Sequence, residues 1–296
     1  MKTALLLLLA LFCIGLFACN GDDAAPSNLP AWESVAEDLR PALDPASANP
    51  CQSGDRSCLD IVANEMRRRL KPLAESCNHN ALFATMYLRM TEEIIKAYDG
   101  GRLQDPAATA HFTAWFASYY FRAFDDWTSG KTDNVPQAWQ IAFQAADDER
   151  VRGLGNLLLG MNAHVSRDLP YVVADVLPET EDTIDPDYQL VNDLIESLSA
   201  RLLSEVADRF DPTVATAQLP LVLGGAPSFG AFVALWRSES WVNGNQLIGA
   251  GSNRASIESQ IETNAGARAL AILPEVSYLP FVESASTRDA YCAKHT

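Results

Sequence analysis

The sequence has few histidines and lacks the short motifs that identify many enzyme classes. Only four of its 296 residues are histidine, too few for the histidine-rich three-zinc sites of helical phospholipases and nucleases. It contains no Gly-x-Ser-x-Gly, phosphate-binding glycine loop, dinucleotide fingerprint or His-Glu-x-x-His. These absences exclude the corresponding enzymes in their usual forms, and motifs alone assign no reaction.

Basic residues are also scarce. Lys and Arg number 22 against 38 Asp and Glu, which gives a formal net charge of −16. Nucleic acid and anionic lipid head groups repel such a chain, so we expect no nucleic-acid partner. A hydrophobic fraction of 48% is typical of a globular protein.

The chain begins with an apolar run from residue 4 to 18, after Lys2. A helix of about 15 residues reaches about 22 Å, short of a hydrocarbon core of about 30 Å, so we predict a signal peptide over residues 1–18. Its end, Leu-Phe-Ala followed by Cys19, resembles the lipobox of bacterial lipoproteins, although Phe17 is unusual there. We therefore expect lipidation at Cys19, a membrane contact through that anchor and a location in the cell envelope, with plain secretion as the alternative.

Four cysteines remain after Cys19, namely Cys51, Cys58, Cys77 and Cys292. An even number in an exported chain indicates two disulfides. A zinc site is the competing interpretation, but the sequence has no Cys-x-x-Cys pair. Three pairings are open, and the most local joins Cys51 to Cys58 and leaves Cys77 for Cys292.

Composition and periodicity predict the domain organisation. Residues 19–50 are rich in Asp, Ala, Pro, Ser and Asn, which favours a flexible tether in which only Trp32 and Leu39 are expected to dock. Residues 51–296 show helical periodicity without strand-like alternation. We predict one all-α domain there, a multi-helix bundle with an irregular C-terminal part after Pro212.

Two Asp-Pro pairs predict helix starts. In Asp105-Pro106 and Asp185-Pro186 the aspartate can serve as the N-cap and the proline as the first helical residue. A third helix is predicted to begin near residue 148 and end near residue 169.

This third helix contains the candidate site. At 100° per residue, His164 and Asp168 share an apolar stripe with Leu157 and Met161. Burying the two polar groups without partners would cost several kcal/mol, so they pair with each other, with other helices, or with a ligand or metal. In the structural interpretation the pair fixes helix register; in the functional one His164 is ligand or general base and Asp168 is ligand or orienting group.

Four further residues are candidates for supporting roles: Thr91, Tyr120, Asp187 and Asn162. For Thr91 and Tyr120 the alternative is core packing with a satisfied hydroxyl, and for Asp187 it is a favourable place in a first helical turn. A single divalent metal ion held by His164, Asp168 and Asp187 is one hypothesis for the site.

Residues 160–170 read Gly-Met-Asn-Ala-His-Val-Ser-Arg-Asp-Leu-Pro. This segment closely resembles the hallmark of a family catalogued as domain of unknown function 5995, with valine in place of isoleucine. Further similarities lie in the residues around Phe83, Tyr120, Tyr188 and Trp236. The resemblance covers roughly residues 80–245 and implies a helical fold and a shared site, without an established activity.

Two functions follow as hypotheses. The first is a non-catalytic envelope lipoprotein that binds a small apolar ligand or a partner, in which His164 and Asp168 hold the bundle together. The alternative is a metal-assisted hydrolase acting on a small or lipid-like substrate, with His164 and Asp168 as catalytic residues.

Overall fold

The computed structural model describes residues 29–216, 228–278 and 283–296. For residues 179–183 it describes the backbone only. The predicted signal peptide, Cys19 and the first part of the predicted tether lie outside these ranges. Within them, no helix combines the length and the apolar character that crossing a membrane requires.

The described residues form an all-α fold. They contain no β-strand, and one isolated bridge joins Val151 to Ser277. The eleven α-helices within the described ranges are α1 Trp32–Glu37, α2 Pro50–Ser53, α3 Arg56–Glu75, α4 Ala81–Asp99, α5 Pro106–Thr128, α6 Gln137–Asp147, α7 Gly153–Met161, α8 Leu169–Arg209, α9 Phe229–Ile248, α10 Arg254–Val276 and α11 Ala285–His295. The predicted multi-helix fold is confirmed. The irregular part expected after Pro212 begins with a short 3₁₀ helix, and residues 217–227 lie outside the described ranges.

The two Asp-Pro pairs behave differently. Asp105 caps α5 by accepting a hydrogen bond from the Ala108 N–H at 2.9 Å, as predicted. Pro186 instead lies inside α8, so the helix start predicted there is wrong. A proline within a helix costs roughly 3 kcal/mol, and burial of Ile184 and Tyr188 on either side of Pro186 offsets that cost.

Helix α7 occupies the centre of the fold, and all nine of its residues are buried. A Cβ atom added to Gly160 would lie 2.6 Å from the ring of Phe83, and one added to Gly155 would lie 2.7 Å from the side chain of Val276. The glycines are therefore required by close packing of α4 and α10 on this helix.

Between α7 and α8 the chain forms a π-helix over Asn162–Asp168. There the Leu169 N–H donates to the His164 carbonyl, five residues earlier. The expected uninterrupted α-helix is wrong here. Pro170 follows directly, and in an α-helix its ring would clash with the Ser166 carbonyl, so a wider turn accommodates it.

The structure contains one local and one long-range disulfide. Cys51 pairs with Cys58, which joins α2 to α3, and Cys77 pairs with Cys292, which joins the end of α3 to α11. The second bridge spans 215 residues of sequence and holds the C-terminal helix against the start of the bundle.

Residues 29–50, predicted to continue the flexible tether, pack on the domain. Trp32 and Leu39 are buried, and the Trp32 ring meets the Phe121 ring edge-on at 5.1 Å. The docking expected of these two side chains is correct, but the extent of the tether is wrong for this stretch. A polar, proline-rich composition does not reveal that a few apolar side chains find sites on the bundle surface.

Candidate functional site: a buried histidine beside an apolar cavity

The π-helix brings His164 and Asp168 together inside the protein. Nδ1 of His164 lies 3.2 Å from Oδ2 of Asp168, and the two residues are 3% and 1% exposed. The widened turn thus keeps the four-residue contact that was expected of an α-helix.

Asp168 is the hub of a larger hydrogen-bond group. The Trp139 indole N–H donates to Oδ2 at 2.8 Å, and Nη1 of Arg167 donates to Oδ1 at 3.0 Å. Arg167 also donates through Nε to Glu262 of α10 at 2.7 Å. Both carboxylate oxygens of Asp168 therefore accept hydrogen bonds from the protein, and one of these bonds orients His164.

Aromatic rings surround the imidazole of His164. The ring of Phe116 stacks on it at 3.6 Å with an interplanar angle of 4°, and the ring of Tyr87 lies 4.5 Å away. The rings of Phe83 and Trp139 approach at 5.9 and 6.0 Å. The pair therefore sits in a medium of low polarity, where hydrogen bonds are strong and charge is costly.

This environment determines the protonation of His164. Burial lowers the pKa of the imidazole, and the opposing effect of Asp168 is smaller. The neutral ring donates its proton from Nδ1 to Asp168, which leaves a lone pair on Nε2. Nε2 has no hydrogen-bond partner among the described residues, and neither has the buried hydroxyl of Tyr87.

A cavity of about 120 Å³ lies next to this histidine. Its walls come from α4, α5, the end of α7, the π-helix, α8 and α9, and His164 contributes to them whereas Asp168 and Trp139 do not. His164 thus contributes part of its side chain to the cavity wall, while its Nε2 atom is buried. The remaining lining is mainly apolar, with residues such as Met90, Phe112, Met161, Ile195, Leu198 and Val233.

Asp187 lies in the cavity wall but belongs to a different polar group. Its carboxylate accepts from the backbone N–H groups of Gln104 and Asp105 at 2.7 and 2.8 Å, and from the Thr109 hydroxyl at 3.0 Å. These donors hold the loop before α5 against α8. Its role is to connect α8 to the loop before α5 and to α5 itself. The first-turn position considered as the alternative for Asp187 is wrong, because Asp187 lies within α8.

The other predicted supporting residues do not join the pair through hydrogen bonds. Thr91 donates to the Tyr87 carbonyl at 3.0 Å and does not line the cavity. The ring of Tyr120 lies 6.3 Å from that of His164 as part of the aromatic packing. Asn162 donates to the Ala265 carbonyl at 2.8 Å and so ties the π-helix to α10.

The proposed metal ligands are not assembled. Within the described part of the chain, the one set of three residues with ligand atoms inside 4.8 Å of one another is His79, Glu149 and Asp289. Asp187 does not form such a set with His164 and Asp168, so the described geometry does not support a metal held by those three residues. Residues on separate helices cannot be grouped from their spacing along the chain.

Sequence reasoning missed three contributors. Trp139 and Arg167 donate the other hydrogen bonds that Asp168 accepts. Arg237 lines the cavity as a buried cation. A signal for Arg237 exists, because it is the single charge within the apolar run of residues 229–238. Trp139 lies in an unremarkable helix, and only the tertiary structure reveals its part.

A family model described as a family of unknown function, DUF5995, matches residues 59–275. The chain belongs to this family. The DUF5995 region runs from α3 to α10 and holds the His164–Asp168 pair, Trp139 and the whole cavity. Cys51, Cys58 and Cys292 fall outside it, so each disulfide has at least one partner beyond the family region. No curated protein and no solved structure matches the chain.

Proposed function

We propose that this DUF5995 protein binds a small apolar ligand in the cavity beside His164. The observation that carries the proposal is the combination of an almost wholly apolar lining with two polar groups that have no hydrogen-bond partner among the described residues, Nε2 of His164 and the Tyr87 hydroxyl. Binding sites for small molecules are typically apolar concavities with a few fixed polar groups. The ligand expected here has an apolar body that packs against this lining, and a hydroxyl or N–H group, where the ligand carries one, can also approach His164.

The cavity volume limits the size of that body. A volume of about 120 Å³ is comparable with the engineered apolar cavity of roughly 150 Å³ that takes up benzene in another protein. Several lining residues, including Met90, Phe112 and Ile195, are only partly buried. A body of about six carbon atoms therefore fits, and a polar end can point toward the opening.

The hydroxyl groups of the lining favour binding over hydrolysis. Thr109 donates to Asp187, Thr113 to the Thr109 carbonyl, and Ser199 to the Ile195 carbonyl. None of these described hydroxyls donates to His164, as an activated nucleophile would. The metal site proposed for the hydrolase alternative also lacks support, because His164, Asp168 and Asp187 do not form a set of ligand atoms close enough to share one ion.

We also propose that the protein acts in the cell envelope, anchored through a lipid on Cys19. The apolar leader and the lipobox-like residues before Cys19 support this location. Two disulfides agree with it, because such bonds persist in oxidising compartments. Mass spectrometry of the native N-terminus tests the anchor: a diacylated Cys19 is expected, and an unmodified one would leave secretion as the better description.

Calorimetric titration of the purified protein with 1-hexanol tests the ligand site. We expect 1:1 binding with a Kd below about 1 mM. The variant Leu198→Phe, which fills the cavity from a buried position, should abolish the binding heat.

Leu235→Phe is the matched control, because Leu235 is 59% exposed on α9 and does not line the cavity. It should bind 1-hexanol as the parent does. Equal binding by parent and Leu198→Phe, or no binding by a folded parent, contradicts the proposed site.

A further inference from the structure

Arg237 is a buried cation without a described acidic partner. It is 5% exposed and lies in the wall of the cavity. Its described contacts are neutral: Nε donates to Oδ1 of Asn192 at 2.8 Å, Nη2 donates to the Tyr188 carbonyl at 2.9 Å, and the guanidinium lies 4.0 Å from the Tyr188 ring centroid. An arginine stays protonated, so its charge remains within the apolar wall.

Another buried arginine shows the usual solution to this problem. Arg288 is 3% exposed and forms an ion pair with Asp289 at 2.9 Å. Burial lowers the pKa of Arg237, as expected when no anion among the described side chains compensates for lost hydration. A buried charge without a counter-ion is costly, so a site that keeps one has a use for it.

The donors of Arg237 are only partly used. A guanidinium has five N–H groups in a planar fork, and the two hydrogen bonds described leave three for another acceptor. Such a fork matches the two oxygens of a carboxylate. The arginine and the cavity thus offer an anion site and an apolar site side by side.

We propose that the ligand is a small monocarboxylate whose carboxylate pairs with Arg237 and whose apolar body fills the cavity. This rests on the proposed function and adds the class of ligand. One guanidinium balances one negative charge, and the Asp187 carboxylate in the same wall disfavours a second. The site therefore favours a carboxylate over a phosphate monoester, which carries up to about two charges at neutral pH.

Hexanoate and 1-hexanol, two probes of similar length, separate the charge from the apolar body. For the purified protein, calorimetry should give a Kd for hexanoate at least about tenfold below that for 1-hexanol. Arg237→Gln, which keeps a side-chain donor toward Asn192, should lose this advantage and bind 1-hexanol as before. Arg201→Gln, a change at an exposed arginine of α8, should keep it.

The outcomes are distinguishable. If a folded parent binds neither probe, both proposals fail. If it binds both equally, or if Arg237→Gln retains the preference for hexanoate, only the carboxylate proposal fails. Tighter binding of hexyl phosphate than of hexanoate would overturn the choice of anion. Should Arg237→Gln not fold, Arg237→Lys provides the test, because it keeps the charge without the fork and should bind hexanoate with intermediate affinity.

Discussion

The imidazole of His164 lies face to face with the ring of Phe116, at 3.6 Å and an angle of 4°. This stack covers one face of the imidazole, while Asp168 fixes its Nδ1 edge. The orientation of the ring is therefore set by two independent contacts before any ligand binds. Such preorganisation lowers the entropy that a ligand must lose on binding.

Replacing the hub carboxylate should be strongly destabilising. In Asp168→Asn a single acceptor oxygen must serve Trp139 and His164, and Arg167 loses its buried counter-charge. We expect the free energy of unfolding to fall by about 2–5 kcal/mol, measured by urea denaturation.

Asp175→Asn is the matched control for Asp168→Asn. Asp175 also accepts an indole N–H, from Trp115 at 3.0 Å, but it is only partly buried. Its replacement should cost less. An equal or larger loss at Asp175 would contradict the special role given to Asp168.

A second prediction concerns pH. Burial, aided by Arg288 and opposed by Asp289, lowers the pKa of His79 from its ordinary 6.5 to about 4. Well above pH 6.5 this histidine is neutral in the folded and in the unfolded protein, so it does not make the free energy of unfolding depend on pH. As the pH falls from about 6.5 to about 4, the unfolded chain takes up the proton first, so stability falls by up to about 1.4 kcal/mol per pH unit.

The variant His79→Gln should remove this part of the pH dependence. Urea unfolding at pH 7.5, 6.5, 5.5 and 4.5 should show the parent losing stability relative to the variant below pH 6.5. His295→Gln, at an exposed histidine of the C-terminal helix, is the control and should follow the parent. Parallel curves for the parent and His79→Gln would rule out a neutral buried His79.

The packing of Gly160 gives a third prediction. Replacing an exposed glycine within a helix by alanine raises the free energy of unfolding by up to about 1 kcal/mol. At Gly160 the new Cβ would lie 2.6 Å from the Phe83 ring, so the steric overlap outweighs this gain and the free energy of unfolding falls. We expect Gly160→Ala to lower the free energy of unfolding by about 1–3 kcal/mol.

Gly249→Ala serves as the control for this effect, since an added Cβ there meets nothing within 4 Å. Its free energy of unfolding should change by less than about 0.5 kcal/mol. A stabilised Gly160→Ala protein would mean that Phe83 can move away without loss.

The two disulfides should differ in their effect on stability. Cys77–Cys292 spans 215 residues and Cys51–Cys58 spans 7. The loop-entropy estimate is roughly 5 kcal/mol for the long loop and roughly 2 kcal/mol for the short one. Paired Cys→Ala replacements compared in guanidinium chloride should therefore show the larger loss for Cys77 and Cys292, and the reverse order would indicate that native contacts outweigh chain entropy.

Much of the fold could be predicted because helical periodicity and caps are local signals. Asp105 and Pro106 mark a helix start by their own chemistry, and the observed cap follows it. Pro186 carries the same local signal without the same result, because burial of its neighbours keeps α8 continuous. The long-range surroundings of a residue, which periodicity does not contain, decide such cases.

The candidate site likewise combines a feature that the sequence predicts with contacts that it does not predict. Spacing along one helix predicted that His164 and Asp168 share one face, since residues four apart on a helix are neighbours, and their contact was one of the pairings that this spacing left open. Spacing could not predict that Asp187 would bond to the loop before α5 instead of joining them. Contacts between helices depend on how the bundle packs.

The sequence by itself determined the all-α class, the family and the single helix that carries the buried imidazole and carboxylate, because these follow from periodicity and one unbroken segment. The tertiary structure alone decided the partner Trp139 and the cavity with Arg237 in its wall. Each of these depends on side chains from helices far apart in the sequence competing for the same space, and a linear order of residues does not specify that competition.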